Sequence, residues 1–133
     1  MKIFISFRFT GEDMSELKGV IRGIEEALHA AGHETVCSVW EEEKFTKERF
    51  TPRQILEWAL RELDSADTYL AFVKSTERSE GMLLEAGYAL AKGKRFIVAV
   101  RRDITTTFLR HIADTIIEYD SYGDLYAKLR NLK

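Results

Sequence analysis

Residues 67–100 read DTYLAFVKSTERSEGMLLEAGYALAKGKRFIVAV, a strand-like run, a helical stretch and a second strand-like run in succession. The two end runs, 67–73 and 95–100, are nearly continuous apolar segments rather than alternating ones. Strands of this kind are buried on both faces, which is typical of a parallel sheet with helices on each side. The stretch therefore predicts a strand-helix-strand unit with a right-handed crossover.

The same alternation runs through the rest of the chain. Further strand-like runs, rich in β-branched and aromatic residues, lie at 2–7, 34–39 and 114–119. Helices are predicted from an apolar stripe that runs from Leu17 to Ala31 and stops at Gly32, from Pro52 onward, within 79–94 with a stop at Gly93, over 105–112 and over 121–131. This order predicts an α/β fold, a doubly wound five-stranded parallel sheet in the flavodoxin-like order 2-1-3-4-5.

Length and composition indicate a single domain that spans residues 1–133. The chain has 133 residues, 45% of them hydrophobic, which is enough to fill one core, and no internal repeat or linker divides it. Only the segment 40–50, WEEEKFTKERF, fits neither helix nor strand. We expect it to form a long connection that covers a site.

Charge and cysteine content exclude several classes of protein. The 20 basic and 22 acidic residues nearly cancel to a net charge of -2, which argues against a partner that is a nucleic acid or an anionic membrane. No apolar run reaches the roughly 18 residues of a membrane span, and the N-terminus shows no cleavage site. The single cysteine, Cys37, lies in an apolar run and cannot form an internal disulfide, so we expect a soluble cytoplasmic protein.

The predicted topology locates the site at one edge of the sheet. Ligands of an open parallel sheet bind beyond the carboxyl ends of the strands, where the strand order reverses. In this chain that edge would be built from RFTGED at 8–13, WEEEKF at 40–45 and KSTERSEG at 74–81. Any binding or catalytic site is therefore expected on these three loops.

The helix that follows the third loop carries Glu85 among Met82, Leu83, Leu84 and Tyr88. Glu85 lies about one turn inside the helix, where the positive helix end would favour its ionised form. An ionised carboxylate in a cleft can attack, or stabilise, a sugar carbon that becomes positive. The alternative is that Glu85 is an ordinary solvated helix residue.

The start of this helix is a candidate anion site. Its free N–H groups and its dipole attract an anion such as a phosphate, and Ser79 and Gly81 would let a hydroxyl and the backbone close around it. The alternative is that Ser79 serves only as the helix cap. Ser6 at the end of the first strand and Arg8 and Gly11 in the first loop complete the candidate substrate-binding set.

Aromatic residues on the unassigned segment are candidates for stacking on a base. They are Trp40, Phe45 and Phe50, which could equally be core or subunit-contact residues. No metal or cofactor is predicted: the histidines lack metal-like spacing, and neither GxGxxG nor GxxxxGK[ST] is present.

Three segments together resemble a known family. KIFISFRFTGED at 2–13, SADTYLAFV at 65–73 and the pattern S-x-G-x-x-x-E-x-G-Y-A-L-x-x-G-K at 79–94 are similar to the nucleoside 2-deoxyribosyltransferases and their relatives, the nucleoside 5'-monophosphate N-glycosidases. The resemblance covers residues 2–119 and implies cleavage or transfer at an N-glycosidic bond. It implies that Glu85 is the nucleophile and that Ser79 holds the 5'-phosphate of a monophosphate substrate.

The chain departs from the family pattern at two positions. Members place a tyrosine near the end of the first strand, where this chain has only phenylalanines. They also place an aspartate, which protonates the leaving base, eight residues before the aspartate that opens the third strand; counting back from Asp67 reaches Ala59. The general acid is therefore missing from its expected position.

The missing acid keeps two alternatives open. FISFRFTGED also resembles the first-strand loop of Toll/interleukin-receptor-type domains, in which a glutamate cleaves NAD, and nicotinamide leaves without protonation. A non-catalytic nucleotide-binding or interaction module is the second alternative. The deoxyribosyltransferase resemblance also implies a homodimer or higher homo-oligomer, with Thr105 and Thr106 as candidates for reaching a neighbouring site.

Overall fold

The computed structural model describes residues 1–133 as alternating strands and helices. The strands are β1 (Lys2–Ser6), β2 (Glu34–Cys37), β3 (Thr68–Val73), β4 (Arg95–Arg101) and β5 (Thr115–Tyr119). The helices are α1 (Met14–Ala30), α2 (Glu42–Lys47), α3 (Pro52–Ser65), α4 (Glu80–Ala91), α5 (Leu109–Ile112) and α6 (Tyr122–Leu129), and a 3-10 turn spans Ser38–Glu41.

The five strands form one sheet in the order β2-β1-β3-β4-β5, and every neighbouring pair is parallel. The predicted fold class and strand order are therefore confirmed. The register places Phe4 beside Tyr69 and Ser6 beside Ala71, so β1 and β3 end at the same edge. Strand order reverses between β1 and β3, and this point is where a ligand cleft is expected.

Two apolar layers cover the sheet. On one face, Ile5, Leu70 and Ile97 pack with α1 and α6 in a cluster of 19 buried residues. On the other face, Phe4 and Tyr69 pack with α3, α4 and α5 in a cluster of 15 buried residues. All six residues of β3 are buried, as its continuous apolar sequence predicts for a central strand of a parallel sheet.

Side chains at the helix starts fix where the helices begin. The Asp13 side chain accepts hydrogen bonds from the N–H groups at the start of α1. At α3, the Thr51 side chain accepts from the Gln54 N–H while the Gln54 side chain accepts from the Thr51 N–H, with Pro52 in the first turn. These caps set the boundaries of the loops at the sheet edge.

The segment 40–50 differs from the predicted irregular connection, because most of it is helical. Phe45 of α2 is buried and packs against Phe50 at 5.0 Å and Trp58 at 5.5 Å between ring centroids. This burial stabilises a helix too short to form alone. The predicted fourth helix, over 105–112, is shorter than expected and is confined to Leu109–Ile112.

No helix of the protein has both the length and the apolar composition that a bilayer-crossing segment needs.

Candidate active site

A cleft with a volume of about 680 Å³ opens at the carboxyl edge of the sheet. Its walls come from the end of β1 and the loop after it, from α2 and the turn that follows, and from the first turns of α3 and α4. Ser6, Ser79, Gly81 and Glu85 all line this cleft. The fold thus brings together these four residues, all of which the sequence indicates as candidates for the site.

Glu85 is held at the sheet end of the cleft by a short hydrogen bond. Ser6 Oγ donates to Glu85 Oε1 at 2.6 Å, and Ser6 itself is only 2% exposed. Ser6 is the last residue of β1, while Glu85 lies in the second turn of α4. Both partners of this hydrogen bond thus lie in regular secondary structure, which fixes the position of the Glu85 carboxylate, as a reactive group requires.

Burial raises the pKa of Glu85 to about 7, although the hydrogen bond from Ser6 acts in the opposite direction. This contrasts with the sequence-based expectation that the helix end favours the ionised form. Glu85 is the sixth residue of α4, whereas the helix dipole acts within the first turn. Desolvation therefore outweighs the dipole at this depth.

Tyr69 is a supporting residue that sequence reasoning missed. Its hydroxyl donates to the carbonyl of Met82, in the first turn of α4, at 3.1 Å. Burial, and next the nearby charge of Glu85, hold the pKa of Tyr69 well above its usual value. Tyr69 lies in a largely apolar strand, and the influence of Glu85 on its hydroxyl arises only in the folded structure.

Of the two roles that the sequence left open for Ser79, the structure shows that of helix cap. Its Oγ accepts a hydrogen bond from the Met82 N–H at 3.2 Å, which makes it the cap of α4, and it also lines the cleft. As an acceptor in that bond, the hydroxyl retains its own proton for a phosphate or sugar oxygen. At Gly81 an added Cβ would meet only Ser79 Oγ, at 4.0 Å, so packing does not require glycine there.

Arg8 lies outside the lining of the cleft and is already paired. Its guanidinium binds Glu12 at 2.8 Å and Glu77 at 2.5 Å, and the buried Nε has no partner. Lys74 binds the same Glu12 carboxylate at 2.6 Å. Gly11, with φ of 77°, packs near the Arg8 guanidinium and is likewise outside the cleft. The cations that follow β1 and β3, Arg8 and Lys74, are thus paired with neighbouring carboxylates.

Trp40 lies against α1 rather than in the cleft. Its Nε1 donates to Glu25 at 2.6 Å, and Arg22 sits 5.1 Å from the ring centroid. The aromatic residues that do line the cleft are Phe7, Phe9, Phe45 and Phe50. Of the three stacking candidates, the structure therefore brings Phe45 and Phe50 to the site.

The cleft contains no substitute for the missing aspartate on α3. Ala59 is 2% exposed and packs in the core, and Glu57 is bound to Arg53 at 3.0 Å. Besides Glu85, the only carboxylate that lines the cleft is Glu42, which pairs with Lys18 at 3.3 Å. No group of three or more histidine, cysteine or acidic side chains is arranged to hold a metal ion.

Arg49 is the one basic side chain in the cleft lining, and sequence reasoning did not single it out. It has a left-handed backbone, with φ of 53°. The sequence pattern could not indicate Arg49, because the residue follows a six-residue helix that the apolar pattern did not predict.

Solved structures with similar folds include enzymes and a receptor domain. The CMP N-glycosidase BcmB of Clostridium botulinum is 19% identical, with a TM-score of 0.70 over 97% of each chain. A 2-deoxyribosyltransferase of Bacillus psychrosaccharolyticus is 18% identical, with a TM-score of 0.69 over 100% of this chain and 93% of that chain. The SEFIR domain of interleukin-17 receptor B is 11% identical, with a TM-score of 0.57 over 98% of this chain and 94% of that chain.

Sequence comparison identifies the family. No match is found among curated proteins. The model of the nucleoside 2-deoxyribosyltransferase family matches residues 8–125, which include the loop after β1, all of α4 and Glu85. The chain therefore belongs to the nucleoside 2-deoxyribosyltransferase family.

Proposed function

We propose that this protein cleaves, or transfers a sugar at, the N-glycosidic bond of a nucleoside or nucleoside 5'-monophosphate, with Glu85 as the nucleophile. One observation carries the proposal: Glu85 is fixed by Ser6 at 2.6 Å within a cleft large enough for a nucleoside. Family membership supports the reaction class.

The proposed chemistry follows that of retaining glycosidases. A Glu85 carboxylate oxygen attacks C1' of the sugar, and the electron pair of the glycosidic bond leaves with the base. Water, or a second base, then attacks C1' and releases Glu85. The hydrogen bond from Ser6 to Oε1 keeps Oε2 as the oxygen without a protein partner, and we assign the attack to Oε2.

Ser79 and Gly81 would hold the 5' end of the substrate. The Ser79 hydroxyl proton and the unpaired N–H groups at the start of α4 suit either a 5'-hydroxyl or a 5'-phosphate. Arg8 would assist with a phosphate only after exchange of its exposed partner Glu77. A panel that pairs each nucleoside with its monophosphate distinguishes the two cases.

The direct test incubates the protein with nucleosides, their 5'-monophosphates and NAD, and measures free base by chromatography. Glu85→Gln should abolish release, while Glu80→Gln, which changes an exposed carboxylate on the same helix, should retain it. Base release that survives in Glu85→Gln would remove Glu85 from the mechanism. Absence of release from every substrate would favour a binding module, and nicotinamide release alone would favour NAD glycohydrolysis.

We further propose that the chain acts in the cytoplasm as a homodimer or higher homo-oligomer. Leu83, Leu84, Leu90 and Phe108 are 47%, 58%, 45% and 70% exposed, an apolar surface that association would cover. Thr106 lines a second cleft of about 550 Å³ that shares Ser79 with the first. Light scattering should report a mass of at least twice 15.4 kDa, which Leu84→Glu should reduce.

A further inference from the structure

Three helices of this protein end in the same hydrogen-bonded turn. The closing bonds run from the His33 N–H to the Leu28 carbonyl at 3.0 Å, from Phe50 to Phe45 at 2.9 Å and from Lys94 to Ala89 at 3.0 Å. Such a turn needs a left-handed residue just before the last donor, and glycine is the usual choice. Gly32 and Gly93 fill this position after α1 and α4, whereas Arg49 fills it after α2.

Arg49 is the only residue other than glycine with a positive φ in the chain. A left-handed backbone is unfavourable for a residue with a Cβ, and glycine would relieve it. Residues held in such a conformation are found at sites where the side chain has a separate role. The local structure of the turn therefore does not explain why this position carries arginine.

Arg49 is a cation without a partner in the protein. Its exposed side chain forms no ion pair or hydrogen bond, whereas Lys18 and Arg53 are bound to Glu42 and Glu57. Arg49 lines the same cleft as Glu85, on the wall built by α2 and its following turn. Phe45 and Phe50, which pack on each other at 5.0 Å, line this wall with it.

We propose that Arg49 is a catalytic residue that binds the departing base and stabilises its negative charge. This inference rests on the proposed N-glycosidic function. Ser79 and the start of α4 would take the 5' end of the sugar, so the base extends toward the wall with Phe45, Phe50 and Arg49. Phenylalanine side chains and a guanidinium that line one wall suit a heterocyclic base with carbonyl oxygens.

The chemical step balances without a general acid. As Glu85 bonds to C1', the bond between C1' and the base nitrogen breaks, and both electrons leave with the base as an anion. The Arg49 guanidinium donates hydrogen bonds to the carbonyl oxygen on which this charge resides, and cannot itself give up a proton. Hydrolysis of the glycosyl-enzyme then supplies the hydroxyl to C1' and the proton to the base. Arg49 thereby replaces, by electrostatic stabilisation, the acid that Ala59 cannot provide.

This assignment narrows the substrate class. The site should favour bases that carry a carbonyl oxygen and leave as anions, such as uracil. It should disfavour nicotinamide, because that base is cationic while bound to the sugar and would be repelled by Arg49. The same cation that assists one leaving group thus selects against the other.

The experiment compares Arg49→Gly and Arg49→Gln with Arg53→Gln, a matched change at an exposed arginine outside the cleft. With pyrimidine nucleosides, kcat/KM should fall about 100-fold in both Arg49 variants and stay within a few-fold in the control. With nicotinamide riboside, the Arg49 variants should be no slower than the wild type. Arg49→Gly should melt at or above the wild-type temperature, which separates loss of function from loss of fold.

Equal losses on both substrates, or unchanged activity in both Arg49 variants, would overturn the assignment. If the wild type releases no base from any nucleoside, it is the proposed function that fails. In that case calorimetry with uridine, using Glu85→Gln and the double variant Glu85→Gln/Arg49→Gly, tests Arg49 by binding alone. Affinity about tenfold weaker in the double variant is expected, and equal affinity would refute a role for Arg49 in holding the base.

Discussion

Ser6 and Glu85 lie 79 positions apart in the sequence, yet Ser6 Oγ donates to Glu85 Oε1 at 2.6 Å. The bond joins the end of a central strand to the second turn of the helix that follows the neighbouring strand. It fixes one carboxylate oxygen and moderates the pKa that burial has raised to about 7. One contact therefore influences both the position and the protonation of the proposed nucleophile.

The pH dependence of activity should report the protonation of Glu85. Its pKa of about 7 means that much of the carboxyl is protonated, and thus not nucleophilic, in neutral solution. We expect kcat/KM to rise with pH through about 7 and to fall about tenfold per pH unit well below it. A flat profile from pH 5 to 8 would show that the nucleophile is ionised throughout, contrary to this pKa.

Replacing Ser6 should move this profile. Ser6→Ala removes a hydrogen bond that favours the charged form, so the pKa of Glu85 should rise above its wild-type value. The midpoint of the kcat/KM profile should shift to higher pH, so the fold loss of activity should be largest below about pH 7 and should vanish well above the new midpoint. Ser15→Ala changes an exposed serine on α1 and should leave the midpoint in place.

Glu85 should also make stability depend on pH. Its folded pKa of about 7 lies above the ordinary value of 4.5, so the folded state holds this proton more tightly than the unfolded state. Stability is then lost as pH rises from about 4.5 to 7, and each pKa unit corresponds to about 1.4 kcal/mol. Glu85→Gln lacks this loss, so its melting temperature should exceed that of the wild type at pH 8.

At pH 4 the advantage of Glu85→Gln should vanish, because Glu85 is protonated in both states there. The comparison uses thermal melts at several pH values. A difference in melting temperature that does not change between pH 4 and pH 8 would indicate that Glu85 has an ordinary pKa.

The packing of α2 against the rest of the protein should depend most on Phe45. It is 8% exposed and packs on both Phe50 and Trp58, so Phe45→Ala should cost about 3 kcal/mol in urea-denaturation experiments. Lys47→Ala, at an exposed position on the same helix, should change stability by less than about 0.5 kcal/mol. Similar losses in both variants would contradict the packing described for α2.

The strand order and the general place of the candidate site were predictable because their causes are local. The continuous apolar runs of β3 and β4 reflect burial on both faces, and this pattern is visible in consecutive residues. The start of α4 at Ser79 follows from local capping chemistry. Alternation of strands with helices then leaves few topologies, of which the observed one is the common choice.

The sequence alone determined that this chain is an α/β domain whose candidate site lies around the loops after β1, β2 and β3, since periodicity and capping act between near neighbours in the chain. Tertiary structure decided that Arg8 is paired with acidic residues, that Trp40 lies on α1, that α2 is helical and that Arg49 lines the cleft. It also decided that the pKa of Glu85 is raised rather than lowered. These features depend on desolvation and on contacts between residues distant in sequence, which exist only once the sheet has brought the ends of its strands together.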